Sequence, residues 1–170
     1  GIKFFSAAGD KLPDEMEREI EAAMAGPLAC VPSAQLGMSS TLANAGDMYV
    51  DFCKRAMPTG LNLRGLKIVV DAAHGACHQV APAVFRQLGA QVVAVGISPN
   101  GVNINSKVGA TVPRHLSQAV LAHHADLGVA LDGDGDRLVM VDATGRIYGG
   151  DELLYVLAVD AQINDGLQGG

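Results

Sequence analysis

Apolar residues in this chain gather into short unbroken runs, and between those runs they recur at helical spacing. Leu66-Lys67-Ile68-Val69-Val70 closes on Asp71 and reads as a strand buried on both faces. Gln91-Val92-Val93-Ala94-Val95 predicts a second strand, Asp126 to Leu131 a third and Arg137 to Asp142 a fourth. A small-residue loop, Ala72 to Gly75, leads into a helix through Leu88, and Arg114 to His124 forms another. Pro99-Asn100-Gly101 turns the chain into an irregular loop over 99–113. Ala143-Thr144-Gly145 is a hairpin turn into Ile147-Tyr148, and Asp151 to Ile163 is the last helix, with Asp151 as its N-cap. Strands alternating with helices, then a hairpin, predict an α/β layered domain: a mixed, mostly parallel sheet flanked by helices.

The first forty residues follow a different pattern. Ile2 to Ser6 predicts a short strand, Gly9 to Leu12 a turn, and Pro13-Asp14-Glu15-Met16 opens a helix through Met24. Proline suits the first helical turn, and acids there face the positive end of the helix dipole. Gly26, Pro27, Pro32, Gly37 and the Ser39-Ser40 pair mark residues 26–40 as a linker. A long helix from Leu42 to Met57, stopped by Pro58-Thr59-Gly60, follows it. The expected division is a strand–helix remnant with its linker in 1–40 and the layered domain in 41–170. The absence of a starting methionine and the end at Gly169-Gly170 suggest a piece of something longer.

Composition narrows the class. Of 170 residues 49% are hydrophobic and 18% charged, with a formal net charge of −6, which fits a soluble globular chain rather than a disordered one. Scattered basic residues argue against nucleic acid as a partner. No apolar run has the length of a membrane span and no signal-peptide pattern opens the chain. Cys30, Cys53 and Cys77 lack metal-ligand spacing and are expected as buried, reduced thiols of a cytoplasmic protein.

The run Leu131-Asp132-Gly133-Asp134-Gly135-Asp136-Arg137 carries the chemistry. Three acids within five residues repel one another, and a divalent cation removes that cost. An EF-hand needs Gly at the sixth position and Glu at the twelfth, where this chain has Arg137 and Ala143, so that reading is excluded. A haloacid-dehalogenase-type phosphatase also places Asp-x-Asp after a strand, but it needs lysine and acidic partners far downstream, and 34 residues follow Asp136. A Mg²⁺ loop that serves phosphoryl transfer is the third reading. Arg137 then stands beside the metal as a fork for phosphate oxygens or as an orienter of a carboxylate. A plain solvated turn is the fourth, and turns rarely need so many acids beside a buried strand.

Leu131 to Arg137, followed by Leu138-Val139-Met140-Val141-Asp142, resembles the metal-binding loop of the α-D-phosphohexomutase superfamily. Other segments resemble its bacterial phosphoglucosamine mutase branch. Gly1-Ile2-Lys3-Phe4-Phe5-Ser6 is similar to the segment after that family's phosphoserine loop. Val69-Val70-Asp71-Ala72-Ala73-His74-Gly75-Ala76 is similar to its strand-and-glycine turn, and Pro99 to Asn105 with Gly109-Ala110-Thr111 to its loop near the metal. Gly149-Gly150-Asp151 stands where the family has a Gly-Asp pair. Asn44 to Tyr49 and Val112-Pro113 depart from the pattern, the first lacking an arginine and the second an acid.

The resemblance implies four domains around a cleft, of which this chain would supply the end of the first and the whole of the second. It implies Mg²⁺ held by Asp132, Asp134 and Asp136, and a phosphoserine expected upstream of Gly1. Sugar-specificity and phosphate-binding loops would lie beyond Gly170. The implied reaction interconverts glucosamine 6-phosphate and glucosamine 1-phosphate through a 1,6-bisphosphate and supplies cell-wall precursors. The chain alone is then expected to bind Mg²⁺ weakly and to lack activity. A phosphomannomutase or phosphoglucomutase fragment and a non-catalytic metal-binding module stay open. Ser6, Ser39 and Ser40 are not read as the nucleophile.

Other polar residues carry weaker expectations. His74 and His78, and the pair His123-His124, lack a third ligand for zinc and are expected at the surface or as caps. Lys107 and Arg114 are equally readable as phosphate contacts or solvated charges. Asn103 and Asn105 are expected to bond the loop backbone. Asp71 is expected either to orient the metal loop or to cap a helix. An unpaired edge at Ile2 to Phe5 would favour a homodimer.

Overall fold

The structure, a computed structural model, describes residues 4–27, 30–164 and 166. The chain divides into two compact units, Gly1–Thr41 and Leu42–Gly170. In the first, helix α1 (Asp14–Ala25) follows Pro13 and carries Asp14, Glu15 and Glu17 in its first turn. It buries none of its side chains. Lys11 lies 3.4 Å from Asp14 and 3.6 Å from Glu17, both exposed pairs of small energetic weight. The expected first strand is reduced to a single bridge, Phe5 with Lys11, and Ile2 and Lys3 lie outside the described residues. The linker holds one short 3₁₀ turn, Ser33–Gln35.

The second unit is built on five strands, β1 (Lys67–Asp71), β2 (Gln91–Val95), β3 (Leu127–Leu131), β4 (Leu138–Asp142) and β5 (Ile147–Tyr148). Their order is β2-β1-β3-β4-β5. The first three are parallel, with Val70 opposite Ala94 on one side and Val129 on the other. Strands β4 and β5 run antiparallel. The observed sheet is the mixed, mostly parallel one that the alternation predicts.

Two-residue periodicity sorts the side chains of β1. Val69 joins Leu116, Val120, Ala130 and Val141 on one face, under helix α4 (Pro113–His123). Ile68 and Val70 join Val129 and Ala81 on the other, under α3 (Val80–Gln87). Ile68, Val69 and Val70 are 1% exposed or less, so the run is unbroken because both faces are covered. Helix α2 (Ala45–Lys54) is shorter than its apolar pattern suggests and buries only Val50.

Helix α5 (Gly150–Ile163) behaves differently, since none of its residues is buried. Its N-cap is Gly149 rather than Asp151. The Gly149 N–H donates to Glu152 Oε2 at 3.0 Å, a bond that needs an acid one turn in, where Asp151 is too early to reach. The cysteines also depart from expectation. Cys30 is exposed in the proline-bounded linker, and Cys53 and Cys77 are half-buried. Among the described residues no helix is long and apolar enough to cross a membrane.

Candidate metal centre

The carboxyl ends of β1, β2 and β3 open on one edge of the sheet, where open α/β sheets hold their ligands. The acidic loop follows β3 directly. Asp132 is buried, and its Oδ1 accepts the Arg137 N–H at 3.0 Å, which closes the loop on itself. The Arg137 Nε stands 3.6 Å from Asp132 Oδ2 and 3.9 Å from Asp136 Oδ1. The Arg137 side chain is 70% exposed, so it faces solvent while it leans on two carboxylates. It is placed both to orient Asp132 and to meet an incoming anion.

Asp132, Asp134 and Asp136 each bring a carboxylate oxygen within 4.8 Å of the others. Opposite ligands across Mg²⁺ stand about 4.2 Å apart, twice the usual bond length, so a small closure brings three hard oxygens onto one ion. This is the group of three or more ligating side chains found among the described residues, and the donor set fits a hard divalent cation.

The local electrostatics point the same way. Burial works against the charged form of Asp132. The Arg137 backbone N–H, hydrogen bonds from Asp136 and from its own backbone, and the Arg137 charge outweigh it and hold the carboxyl below its usual value. Asp136 goes the other way, pushed up by the charges of Asp134 and Asp132 and then by burial. One acid of the cluster is therefore prepared as an anion while another resists becoming one, a conflict that a cation resolves.

Two flanking segments grip the loop backbone. Ala76, in the turn after β1, donates its N–H to Gly133 O at 2.8 Å, and Ala110 donates to Leu131 O at 2.9 Å. A side chain at Gly75 would overlap the Gly133 carbonyl, so glycine is required for the turn to come this close. Ile104 and Asn105 lie against Gly133 from the third side.

The remaining polar residues divide clearly. Asn103 bonds its own loop, donating Nδ2–H to Ser98 O at 2.9 Å and accepting the Asn100 N–H at 2.9 Å. Asn105 does not. Its backbone N–H bonds Ala73 O, while its side-chain Oδ1 is buried without a partner beside the acidic loop. His74 Nδ1 accepts the Ser98 N–H, His78 Nδ1 meets Gly75 O, and His124 caps α4 in a left-handed conformation. These three histidines thus have structural bonds, and among the described residues no histidine joins a group of three metal-ligating side chains. Lys107 and Arg114 are exposed without an ion pair among the described residues. Asp71 caps no helix, because α3 starts only at Val80. Its carboxylate is fully buried and bonds loop N–H groups instead.

A cavity of about 520 Å³ borders the loop at Asp136 and Arg137 and extends between β4 and α5 over Leu138, Leu153, Leu154 and Leu157. Its walls are chiefly apolar, with polar side chains only at Thr111, Asp136 and Arg137, so it offers a sugar few hydrogen bonds.

A mixed, mostly parallel sheet covered by helices on both faces, with a triple-aspartate loop at the carboxyl edge of its parallel strands, defines an α/β/α layered domain. Residues 47–145 match the phosphoglucomutase/phosphomannomutase α/β/α domain II, and the chain belongs to this family. It is 58% identical over 166 residues to the phosphoglucosamine mutases of Burkholderia cenocepacia, Paraburkholderia phytofirmans and Burkholderia mallei. These matches cover 98% of this chain and 37% of each relative, so the chain spans little more than a third of their length. A crystal structure of a phosphoglucomutase/phosphomannomutase family protein from Burkholderia thailandensis superposes with a TM-score of 0.55 at 30% identity, covering 71% of this chain and 26% of that one.

Proposed function

We propose that the chain is the Mg²⁺-bearing part of a cytoplasmic phosphoglucosamine mutase, which interconverts glucosamine 6-phosphate and glucosamine 1-phosphate by way of a 1,6-bisphosphate. Residues 1–40 are then the end of the phosphoserine domain with its linker, and 41–170 the second domain. The observation that carries this reading is the convergence of three carboxylate oxygens within 4.8 Å, in a chain 58% identical to phosphoglucosamine mutases.

Asp132, Asp134 and Asp136 hold the cation, which when bound neutralises charge on the phosphate that is transferred. The protein's part is to aim the three oxygens at one point and to hold them there. Arg137 keeps Asp132 in place through its backbone N–H and offers its exposed fork to a phosphate oxygen. The nucleophile and the sugar-reading groups belong to other parts of the mutase, so this chain alone has no turnover.

Manganese titration followed by the EPR signal of the free ion tests the site. Wild type binds one Mn²⁺, and Asp134→Ala binds at least about 100-fold more weakly, more than the 10–100-fold typical of losing a group that merely supports a ligand. Equal affinity in both removes Asp134 from the ligand set. Measured conversion of glucosamine 6-phosphate by the purified 170-residue chain would defeat the claim that it is inactive alone.

A further inference from the structure

Asp71 ends the interior strand β1, opposite Ala130 of β3 and thus one step from the acidic loop. Its side chain is 0% exposed, the deepest burial of any carboxylate among the described residues. Such a group is retained only when its lone pairs are filled. Oδ1 accepts the Ala73 N–H at 3.0 Å, and Oδ2 accepts the Gly109 N–H at 2.8 Å with His115 Nδ1 at 3.4 Å. Two oxygens of one carboxylate therefore hold two separate segments, the turn after β1 and the end of the 99–113 loop.

Both of those segments go on to hold the acidic loop. Ala76 lies in the same turn as Ala73 and donates to Gly133 O, while Ala110 follows Gly109 and donates to Leu131 O. The two carbonyls stand on either side of Asp132. The segments also bond each other, Asn105 N–H to Ala73 O at 2.8 Å. Contact is too tight to slide, since a side chain at Gly109 (φ +81°) would meet Ala73 Cβ at 2.5 Å and Leu131 O at 2.7 Å.

We propose that Asp71 is a positioning residue of the metal centre: it clamps the two backbone donors that fix Leu131 and Gly133, and so sets the direction of the Asp132 carboxylate toward the cation. The proposal rests on the metal reading above. A carboxylate is required because its two backbone partners, one on each oxygen, are N–H donors. In Asp71→Asn the new NH₂ faces one of them, which leaves a buried donor without an acceptor. The clamp opens on one side, and the three metal oxygens lose their common focus.

The test measures Mn²⁺ affinity by EPR on wild type, Asp71→Asn, Gly109→Ala and Leu116→Ala, with folding checked by circular dichroism. Leu116→Ala opens the core under α4 without touching the clamp, so it reports what lost stability alone does to binding. Asp71→Asn and Gly109→Ala weaken Mn²⁺ binding roughly tenfold or more, while Leu116→Ala stays within about twofold at a temperature where it is folded. Binding by folded Asp71→Asn within about twofold of wild type overturns the positioning role. If Asp71→Asn does not fold, Gly109→Ala, with its carboxylate intact, decides by the same criterion. Absence of Mn²⁺ binding in wild type would overturn the metal reading itself, and the positioning role with it.

Discussion

Strand β4 joins two acid-bearing turns that differ in one respect. At its far end, the Asp142 carboxylate receives the Thr144 Oγ1–H at 2.6 Å, the Thr144 N–H at 2.8 Å, the Arg146 N–H at 3.1 Å and the Tyr148 O–H at 2.9 Å. At its near end, the acidic loop gathers three carboxylates, and although Asp132 is held low by the Arg137 N–H, by Asp136, by its own backbone and by the Arg137 charge, Asp136 is left facing two like charges. The Thr144 hydroxyl above all, then the Tyr148 O–H and the two backbone N–H groups, overcome burial and hold Asp142 at about 2. Asp136 moves the opposite way, under the charges of Asp134 and Asp132. The number of acids does not separate a structural turn from a ligand site; the supply of donors does. Asp142 is satisfied by hydrogen-bond donors, whereas in the acidic loop Arg137 is one cation beside three acids and Asp136 is still pushed up by its neighbours.

Cation binding gives the widest separation. Asp134→Ala loses at least about 100-fold in Mn²⁺ affinity, whereas Asp142→Asn stays within about twofold of wild type in the same EPR titration. A large loss in Asp142→Asn would mean that the hairpin turn, too, serves the metal.

Acid response separates them next. A carboxyl held at about 2 when folded, against 3.8 ordinarily, stabilises the fold fully above the ordinary value, and that contribution is lost as pH falls from about 4 to about 2. Thermal melting across that window drops more steeply for wild type than for Asp142→Asn, and the variant is already the less stable at pH 7. Parallel profiles would show that the turn's bonds carry no net stability.

The smallest effect is also the most diagnostic. Without metal, Asp136→Asn removes a repelling charge, so its melting temperature at pH 7 in EDTA stays level with wild type or rises slightly, while its Mn²⁺ affinity falls. Asp142→Asn shifts melting downward under the same conditions. A clear destabilisation by Asp136→Asn would place Asp136 with the structural acids.

Helices α4 and α5 show where pattern reading stops. Both are legible as helices in the sequence, over Arg114 to His124 and Asp151 to Ile163. Only α4 buries a stripe, Leu116 and Val120, against the sheet. The apolar Leu154, Tyr155, Val156 and Leu157 of α5 surround the helix and are all at least 60% exposed, so no spacing rule says which face is covered.

The chain's own order was enough to reveal the strands, the hairpin and the acidic loop. Unbroken apolar runs mark strands covered on both faces, and charge repulsion among near neighbours is set by covalent spacing. The role of Asp71 could not be read that way, because Gly109 is 38 positions along the chain. Nor could the unpartnered Oδ1 of Asn105 beside Gly133, or the replacement of Asp151 by Gly149 and Glu152 at the α5 cap. Those depend on sheet register, which sets Asp71 opposite Ala130, and on the close approach that Gly75 and Gly109 permit. Local period is a property of the chain, but which donor meets which acceptor is chosen only when distant segments pack.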